Sequence, residues 1–355
     1  LLFPLFSLAK LDFNSNCQKA YAHIVKFEWK QAKQLLAQEP KSNVVVPYLR
    51  SLDALLRVYI SEDKKKFEQF LSLSDSTLDA VDDLDLEGPY ALLLQGELHL
   101  FRAVIKLKFQ ECWSAAISVV KGKSYFDDLE EEYPHFLPSK LCLGVMHAFI
   151  GAVPNQYQPY LSMLGFEGNI EQGLAELKKV QESDYHHLKH ISALLHAFLS
   201  NELGYAEVIE LEDEGVQLDG VLSPVYQAMV WGQYGRGNDV VKLLEPRMDF
   251  FRKQNMFFPF YLMGRAKLNQ LDPKADVYLL QFLQNYKGSN YRKSGHELLA
   301  MHYQIHGPES SFHFHREKIK AVGEEFVGAD ERAMQRYERW PSTEWLRIQL
   351  LSDGG

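Results

Sequence analysis

Histidines are the residues whose type and spacing come closest to metal chemistry in this sequence. The stretch YHHLKHISALLHAF carries four of them, His186, His187, His190 and His196. His186 and His190 lie four residues apart, so they share one face of a helix, and two imidazoles in that arrangement can bind Zn²⁺. A catalytic zinc site needs a third protein ligand and usually a glutamate base, and the HExxH pattern is absent. We predict structural histidines and no metal, with metal binding as the alternative.

Other histidines and acidic runs give weaker signals of the same kind. His302 and His306 repeat the spacing of four, whereas His313 and His315 point to different faces of a helix. Runs of acidic residues occur at 82–85, 127–132 and 210–214, and none has the ligand spacing of an EF-hand. We interpret them as solvated helix faces or loop edges; a weak cation site or a patch for a basic partner is the alternative.

Covalent catalysis has no recognisable motif. There is no Gly-x-Ser-x-Gly, and the three cysteines, which lie far apart, form no metal or disulfide pattern. Ser51, Ser192 and Ser294 lie in helical runs and are predicted to be structural. Because paired carboxylates of a glycoside hydrolase meet only in three dimensions, a remote hydrolase remains an alternative. We predict a protein that is not an enzyme and has no cofactor.

Composition and the N-terminal residues bear on the binding partners and the cellular location of the chain. Of its 355 residues 46% are hydrophobic, and the net charge of −9 argues against a nucleic-acid surface. The apolar run LLFPLFSLA at 1–9 resembles the end of a signal peptide, so residues 1–15 are predicted to be a residual signal or disordered segment. We therefore expect export, to the periplasm of a bacterium; a buried first helix in a cytoplasmic protein is the alternative. Because no apolar run reaches the ~18 residues of a membrane span, none is predicted.

The elements that position these residues are helices almost throughout. NVVVPYL at 43–49 is the best strand candidate, but Pro47 favours the first turn of a helix. The sequence therefore predicts an all-α fold. Apolar residues recur at helical spacing in 17–38, 44–60, 64–81, 89–107, 110–120, 138–150, 170–181, 187–203, 223–234, 238–253, 257–270, 274–286, 291–306, 316–326, 330–339 and 342–351.

Several helices pair a large apolar residue with a glycine. Leu143-Gly144, Trp231-Gly232 and Met263-Gly264 share this pattern, and Gln95-Gly96 is a weaker instance. A glycine inside a helix costs roughly 1 kcal/mol against alanine, so its recurrence suggests helices that cross closely. The following helices carry a small residue and a bulky one four positions later, as in Gly173-Leu177 and Ala275-Leu279.

This arrangement resembles tetratricopeptide repeats (TPRs). In FPFYLMGRAKLNQLDPKADVYLLQF at 258–282, Gly264 and Ala275 occupy the positions of the two small residues that face each other in that family. The resemblance implies a right-handed α-solenoid of about seven to nine antiparallel helix pairs with irregular insertions, spanning 16–355. The last apolar helix lacks a partner helix, so we expect a C-terminal truncation.

The middle of the chain carries a more specific signature. The segment 153–177 resembles TPR proteins of the inclusion-body-clearance type and exported bacterial TPR proteins of unknown function, with Asn169 in place of the usual Asp. Gly165 and Gly168 do not form a phosphate loop, because no strand precedes them and no Lys-Ser/Thr follows. We predict that Gly165 closes a helix, Phe166 plugs an apolar gap and Asn169 caps the next helix, with Gln172 completing a capping box.

The resemblance implies a peptide-binding concave surface, and hence an interaction scaffold with a protein or peptide partner. A carrier or sensor of a small apolar ligand in the superhelix lumen is an alternative. Although most aromatic residues of NMFFPFYLMGR are expected in the core, some are candidates for the concave surface. The predicted partner-binding residues are Phe257, Phe258, Tyr261, Arg265, Lys267, Asn290, Tyr291 and Arg292. The sequence does not predict an oligomeric state.

Overall fold

The computed structural model describes residues 11–82, 88–153, 158–163, 165–205, 209–212, 214–218 and 220–352. The predicted signal segment 1–9, Gly354 and Gly355, residues 83–85 of the first acidic run and Asp213 of the third lie outside this range. The described secondary structure is helical and contains no strand, which confirms the all-α prediction. None of the described helices combines the length and apolarity needed to cross a bilayer.

The chain divides into two compact units. Unit 1 comprises Leu1–Tyr59 and Lys65–Ser223, and unit 2 comprises Ile60–Lys64 and Pro224–Gly355. The helices up to α10 are α1 (Ser15–Val25), α2 (Trp29–Leu36), α3 (Val45–Ser61), α4 (Lys64–Asp82), α5 (Pro89–Lys108), α6 (Cys112–Glu132), α7 (Ser139–Ala152), α8 (Gln158–Met163), α9 (Ile170–Glu182) and α10 (His186–Glu202).

The remaining helices belong to unit 2, apart from the first residues of α11. They are α11 (Leu222–Gln233), α12 (Gly237–Leu244), a 3₁₀ turn (Glu245–Arg247), α13 (Met248–Lys253), α14 (Phe258–Asn269), α15 (Ala275–Asn285), α16 (Arg292–His306), α17 (Glu309–Ala321), α18 (Gly328–Glu338) and α19 (Thr343–Ser352).

Helix boundaries follow local chemistry where the sequence shows it. Pro47 lies in the first turn of α3, so NVVVPYL begins a helix as predicted. The run 238–253 is interrupted at Pro246, because proline has no N–H to continue the ladder of hydrogen bonds. The prediction for α6 ended too early, at 120. The helix continues to Glu132, and Phe126 and Leu129 of its second half are fully buried.

Close helix crossing is confirmed where α7 packs on α9. A Cβ at Gly144 would lie 2.8 Å from the carbonyl oxygen of Gly173 and 3.0 Å from Leu177 Cγ. A Cβ at Gly173 would lie 2.3 Å from the Gly144 carbonyl oxygen. The two helices therefore touch backbone to backbone, although α8 is inserted between them in the chain.

Two further crossings use the same spacing of residues. In the packing of α14 on α15, a Cβ at Gly264 would lie 2.6 Å from Leu279 Cγ, the leucine four residues after the buried Ala275. In the packing of α5 on α6, a Cβ at Gly96 would lie 2.9 Å from Phe126, and one at Gly122, four residues before Phe126, 3.1 Å from the Gly96 oxygen. The weaker sequence signal at Gly96 thus marks a real crossing.

Gly232 does not behave as predicted. A Cβ at this position would meet no heavy atom within 4 Å, so no partner helix requires glycine there. Gly232 borders a small cavity of about 10 Å³ that is also lined by Gly237, Val240 and Arg265. A large apolar residue followed by glycine is therefore an insufficient signal of a close crossing.

The loop before α9 has the predicted form with one correction. Gly165 adopts φ +75°, and Phe166 is buried in a cluster that includes Phe126 and Leu129. Asn169 caps α9, because its side chain accepts a hydrogen bond from the Gln172 backbone N–H at 2.8 Å. The Gln172 side chain does not complete the capping box; its Nε2 lies 3.1 Å from His147 Nδ1.

Candidate functional site

The aromatic residues predicted to bind a partner pack on one another inside unit 2. Phe257 and Tyr261 are buried, whereas Phe258 and Tyr291 are half-buried. The ring centroid of Tyr291 lies 4.7 Å from that of Phe258 and 5.1 Å from that of Tyr261. The Tyr261 hydroxyl is hydrogen-bonded to Ser294 Oγ at 2.9 Å. For Phe257 and Tyr261 the predicted surface position is wrong, because unit 2 covers them with its own side chains.

The polar residues of that prediction also bond within the unit. Arg265 donates to the Gly232 carbonyl oxygen at 3.3 Å, and Lys267 pairs with Asp272 at 3.0 Å. Arg292 Nη1 donates to the Tyr286 carbonyl oxygen at 3.2 Å. Asn290 is buried, and its Nδ2 donates to the Glu62 carboxylate at 3.0 Å. Asn290 is therefore a structural residue, and the other three keep only part of their donors for a partner.

A different part of unit 2 carries exposed groups suited to binding. Arg332 and Arg336 lie one turn apart on the same face of α18, and Arg339 follows directly after the end of that helix. Together with the turn into α19 they line an open groove of about 590 Å³. We call this surface the arginine groove; its described lining residues are Arg332, Gln335, Arg336, Arg339, Pro341, Ser342 and Trp345, and none of them is acidic.

Hydrogen bonds from α16 fix the turn that closes the arginine groove. Gln304 Nε2 donates to the Pro341 carbonyl oxygen at 3.2 Å and to Thr343 Oγ1 at 3.1 Å. The Trp340 indole N–H donates to Gln304 Oε1 at 2.6 Å. One glutamine side chain thus holds both sides of the turn, so the groove is shaped before any ligand arrives.

The start of α18 is fixed in the same way. Asp330 is fully buried and accepts hydrogen bonds from the backbone N–H of Tyr291, at 2.6 Å, and of Ser294, at 2.8 Å. It therefore caps the N-terminus of α16 from a neighbouring helix. Burial raises the pKa of Asp330 to about 6, although these backbone bonds act to lower it.

Charge in the arginine groove is only partly neutralised. Arg336 donates to Glu297, a buried carboxyl whose pKa is raised by burial even though Arg336 and then Arg332 act to lower it. Arg332 and Arg339 are exposed. Trp345 is 49% exposed, and Ile348 and Leu351 continue its face of α19 at 65% and 55%. The surface thus offers guanidinium groups beside an apolar stripe.

The histidines of the predicted cluster have different partners in the structure. His186 is exposed at the start of α10, His190 lies 3.0 Å from Ser223 Oγ, and His196 lies 3.5 Å from Glu214. The sequence did not predict that His296 and His315 would meet, yet their Nδ1 atoms lie 2.9 Å apart. In the described part of the chain, no group of three or more His, Cys, Asp or Glu side chains has the geometry to hold a metal ion.

The three serines that were predicted to be structural are hydrogen-bonded to nearby groups. Ser51 Oγ donates to the Pro47 carbonyl oxygen, and Ser192 Oγ donates to that of Leu177 at 2.7 Å. Ser294 contacts Tyr261, as described above. None of these contacts pairs a serine with a histidine base, so these serines lack the arrangement of an activated nucleophile.

Comparisons of the chain with protein-family models, with curated proteins and with solved structures found no match. The function is therefore argued from the side chains themselves, and the arginine groove is the described surface that combines unpaired charge, exposed aromatic area and a fixed shape.

Proposed function

We propose that this protein is a non-enzymatic interaction scaffold that binds an acidic segment of a partner protein in the arginine groove. The observation that carries the proposal is the set of three arginines beside the exposed Trp345, in a chain whose net charge is −9. A planar guanidinium group binds a carboxylate through two parallel hydrogen bonds. Charge complementarity thus favours an acidic partner.

The apolar side of the arginine groove defines the partner further. Trp345, Ile348 and Leu351 extend along one face of α19 from the groove. An aromatic anchor flanked by arginines is typical of residues that contribute most to a protein interface. The segment we propose therefore carries glutamates or aspartates with leucine or a similar side chain between them, as in an acidic amphipathic helix.

The scaffold is proposed to be a TPR-like right-handed solenoid of antiparallel helix pairs. The crossings of α7 on α9, α14 on α15 and α5 on α6 support this architecture. In each, a glycine of the first helix packs on a second helix that carries a small residue and, four positions later, a large one. Five further exposed apolar side chains lie on α5 and α6: Val104, Leu107, Trp113, Ile117 and Val120. Export to a bacterial periplasm remains a proposal that rests on residues 1–9 alone.

The test uses a defined peptide probe. A fluorescein-labelled helical peptide with glutamates at spacings of four and three and leucines on the adjoining face is titrated with the protein, and its anisotropy is measured. We expect binding that weakens with salt, since charge pairs at a surface are screened. The same peptide with glutamine in place of every glutamate is expected to bind at least about tenfold more weakly.

Charge reversal locates the site. In the double variant Arg332→Glu/Arg339→Glu, which leaves the Arg336–Glu297 pair in place, the peptide affinity is expected to fall at least about tenfold. Arg252→Glu is the matched control, because Arg252 is an exposed arginine of unit 2 outside the groove. Equal affinity for the glutamate and glutamine peptides, or equal losses in the double variant and the control, would contradict the proposal.

A further inference from the structure

Five aromatic side chains of unit 1 form a closed circuit. Each ring contacts the next, with centroid distances of 5.4 Å for Phe13–Tyr90, 4.9 Å for Tyr90–Phe136, 6.5 Å for Phe136–Tyr185, 6.2 Å for Tyr185–His187 and 5.4 Å for His187–Phe13. All five are half-buried, so the circuit reaches the surface. Neighbouring rings cross at 82° for Tyr90–Phe136, 81° for Phe136–Tyr185 and 71° for Tyr185–His187, whereas Phe13 stacks on Tyr90 at 5°. A planar ring of five centroids at these separations has a radius of about 5 Å, within the ~6 Å reach of a cation–π contact.

The five rings come from four separate parts of the chain, and three of these parts have contacts that fix their position. Phe13 lies in the segment before α1, where Asn43 Nδ2 donates to the neighbouring Asp12 carbonyl oxygen at 2.9 Å and Gln18 Nε2 donates to that of Phe13 at 3.1 Å. Tyr90 follows Pro89 at the start of α5, and Tyr185 and His187 flank the start of α10. The circuit is therefore a preformed feature of unit 1.

Tyr21 lies on the interior side of the circuit, and Glu97 lies on α5 seven residues, or about two turns, after Tyr90, on the same face of that helix. Tyr21 is 5% exposed, and its ring contacts both Phe13 and His187. Burial and then the charge of Glu97 raise the pKa of Tyr21. Burial, Tyr185 and Glu97 raise the pKa of Tyr90 to about 12. The Glu97 carboxyl is thus near enough to act on phenols of the circuit and of its interior side.

Glu97 is a buried carboxyl without a basic partner among the described residues. It accepts hydrogen bonds from the Tyr48 hydroxyl and, at 3.4 Å, from the Cys142 thiol. Burial raises its pKa to about 7, although these two donors act to lower it. A buried acidic group is either paired with a cation or protonated, and a pKa of about 7 leaves Glu97 able to ionise when a cation binds nearby.

We propose that the five-ring circuit is a binding site for a quaternary ammonium group, with Glu97 as the counter-charge. Faces of aromatic rings attract a weakly hydrated cation, and several rings together form the aromatic cage used for trimethylated ammonium groups. Burial and then the charge of His186 lower the pKa of His187 to about 4, so this ring is neutral at pH 7 and does not repel the ligand.

Ligand binding is coupled to the protonation of Glu97. A cation held by the rings stabilises the ionised carboxylate, so the pKa of Glu97 falls on binding and the ligand binds more tightly as the pH rises through about 7. The other groups that face Glu97 do not titrate in this range, because burial raises the pKa of Tyr48, Cys142 and Tyr21 well above their ordinary values.

The decisive experiment compares two ligands of the same shape. Choline and 3,3-dimethylbutan-1-ol are titrated into the whole protein by calorimetry at pH 8. Choline carries a positively charged nitrogen where 3,3-dimethylbutan-1-ol carries a neutral carbon. We expect choline to bind at least about tenfold more tightly. The affinity should decrease severalfold from pH 8 to pH 6 in the natural protein and stay constant with pH in Glu97→Gln.

Substitutions of the rings locate the site. Tyr90→Leu and Tyr185→Leu are each expected to weaken choline binding at least about fivefold. The matched control is Tyr234→Leu, since Tyr234 is an exposed tyrosine of unit 2 and should leave the affinity unchanged. The comparison of the two ligands in the natural protein does not depend on whether a variant folds.

A trimethyl-lysine peptide, with its unmodified form as reference, identifies the source of the ammonium group. Tighter binding of the methylated peptide than of choline assigns the site to a modified protein, and the reverse assigns it to a small metabolite; both support the proposal. Equal affinity for choline and its carbon analogue, or no saturable binding of either choline or the methylated peptide, overturns it. The arginine groove is unaffected by either result, because its lining residues belong to unit 2.

Discussion

Two helix crossings share one residue pattern but differ in their closest contacts. One is the crossing of α7 on α9 in unit 1, and the other is the crossing of α14 on α15 in unit 2. Each has a glycine on the first helix and a small residue on the second, four residues before a leucine. Between α7 and α9 the small residue is Gly173, and two backbones meet. Between α14 and α15 the small residue is Ala275, and Gly264 meets the side chain of Leu279.

The difference shows what a second glycine does. Backbone atoms cannot rotate away, whereas a leucine side chain has other rotamers. The closer crossing also brings a polar group across the interface. Glu176 of α9 lies 2.6 Å from His147 Nδ1 and 3.1 Å from Lys140 Nζ, both on α7. The first crossing should therefore tolerate substitution less well than the second.

Gly173→Ala is expected to have the largest effect. The added Cβ would lie 2.3 Å from the Gly144 carbonyl oxygen and 2.6 Å from the Ala148 backbone nitrogen, so α9 must move away from α7. We expect a loss of about 3 kcal/mol or more in the free energy of unfolding of unit 1, larger than the ~1 kcal/mol that alanine gains in a helix. Urea titration, followed by hydrogen exchange in α7 and α9, measures it.

The double variant Ala148→Gly/Gly173→Ala tests the cause of that loss. It removes the side-chain contact at 2.8 Å but leaves both backbone contacts. Little recovery of stability is expected. Full recovery would show that the two backbones are not in limiting contact.

Glu176→Gln is expected to have the next largest effect, with a pH dependence of definite sign. Burial acts to raise the pKa of Glu176, but the hydrogen bond and charge of His147 and the charge of Lys140 outweigh it, so the pKa is lowered on folding. The stabilisation is therefore present above the unfolded-state pKa of about 4.3 and is lost as the pH falls below it. At pH 7 we expect the substitution to cost about 2 kcal/mol.

Urea titrations of both proteins between pH 3 and pH 7 check this prediction. The difference in unfolding free energy between the natural protein and Glu176→Gln should shrink towards the acid end. A difference that is constant over this range would mean that the Glu176 charge contributes nothing across the crossing.

Gly264→Ala is expected to cost less, about 1 to 2 kcal/mol. The closest contacts of its Cβ, at 2.6 and 2.7 Å, are with side-chain atoms of Leu279. The measurement is a double-mutant cycle with Leu279→Ala, followed by urea titration of unit 2. We expect Gly264→Ala to be nearly harmless in the Leu279→Ala background, and equal costs in both backgrounds would contradict the side-chain explanation.

The sequence predicted these crossings because a pattern of small residues marks them, and it failed where no pattern marks the residues that meet. Gly144 and Gly173 carry that pattern, and the cap at Asn169 depends on its immediate neighbours. The contacts of Glu176 with His147 and Lys140 span the same inserted α8, but no spacing in the sequence marks them. Phe257 and Tyr261 were predicted at a surface because the sequence shows that the segment is rich in aromatic residues. It does not show which other residues pack over them.

The candidate sites show the same limit. The spacing of Arg332, Arg336 and Arg339 is visible in the sequence, but their use depends on Trp345, which the turn fixed by Gln304 brings to them. The five-ring circuit combines rings at positions 13, 90, 136, 185 and 187, and no local pattern joins these positions. Long-range packing brings such residues together, and their positions along one sequence do not reveal which of them meet.

Gly232→Ala should have the smallest effect and the opposite sign. No heavy atom lies within 4 Å of the added Cβ, and the neighbouring cavity of about 10 Å³ leaves room for it. Because alanine is favoured over glycine in a helix, we expect unit 2 to gain about 0.5 to 1 kcal/mol. Urea titration beside Gly264→Ala gives the matched comparison, since both glycines follow a large apolar residue and are tested in the same unit. If Gly232→Ala destabilised unit 2 as much as Gly264→Ala does, α11 would need its glycine for a contact, and the distinction between a crossing glycine and an incidental one would fail.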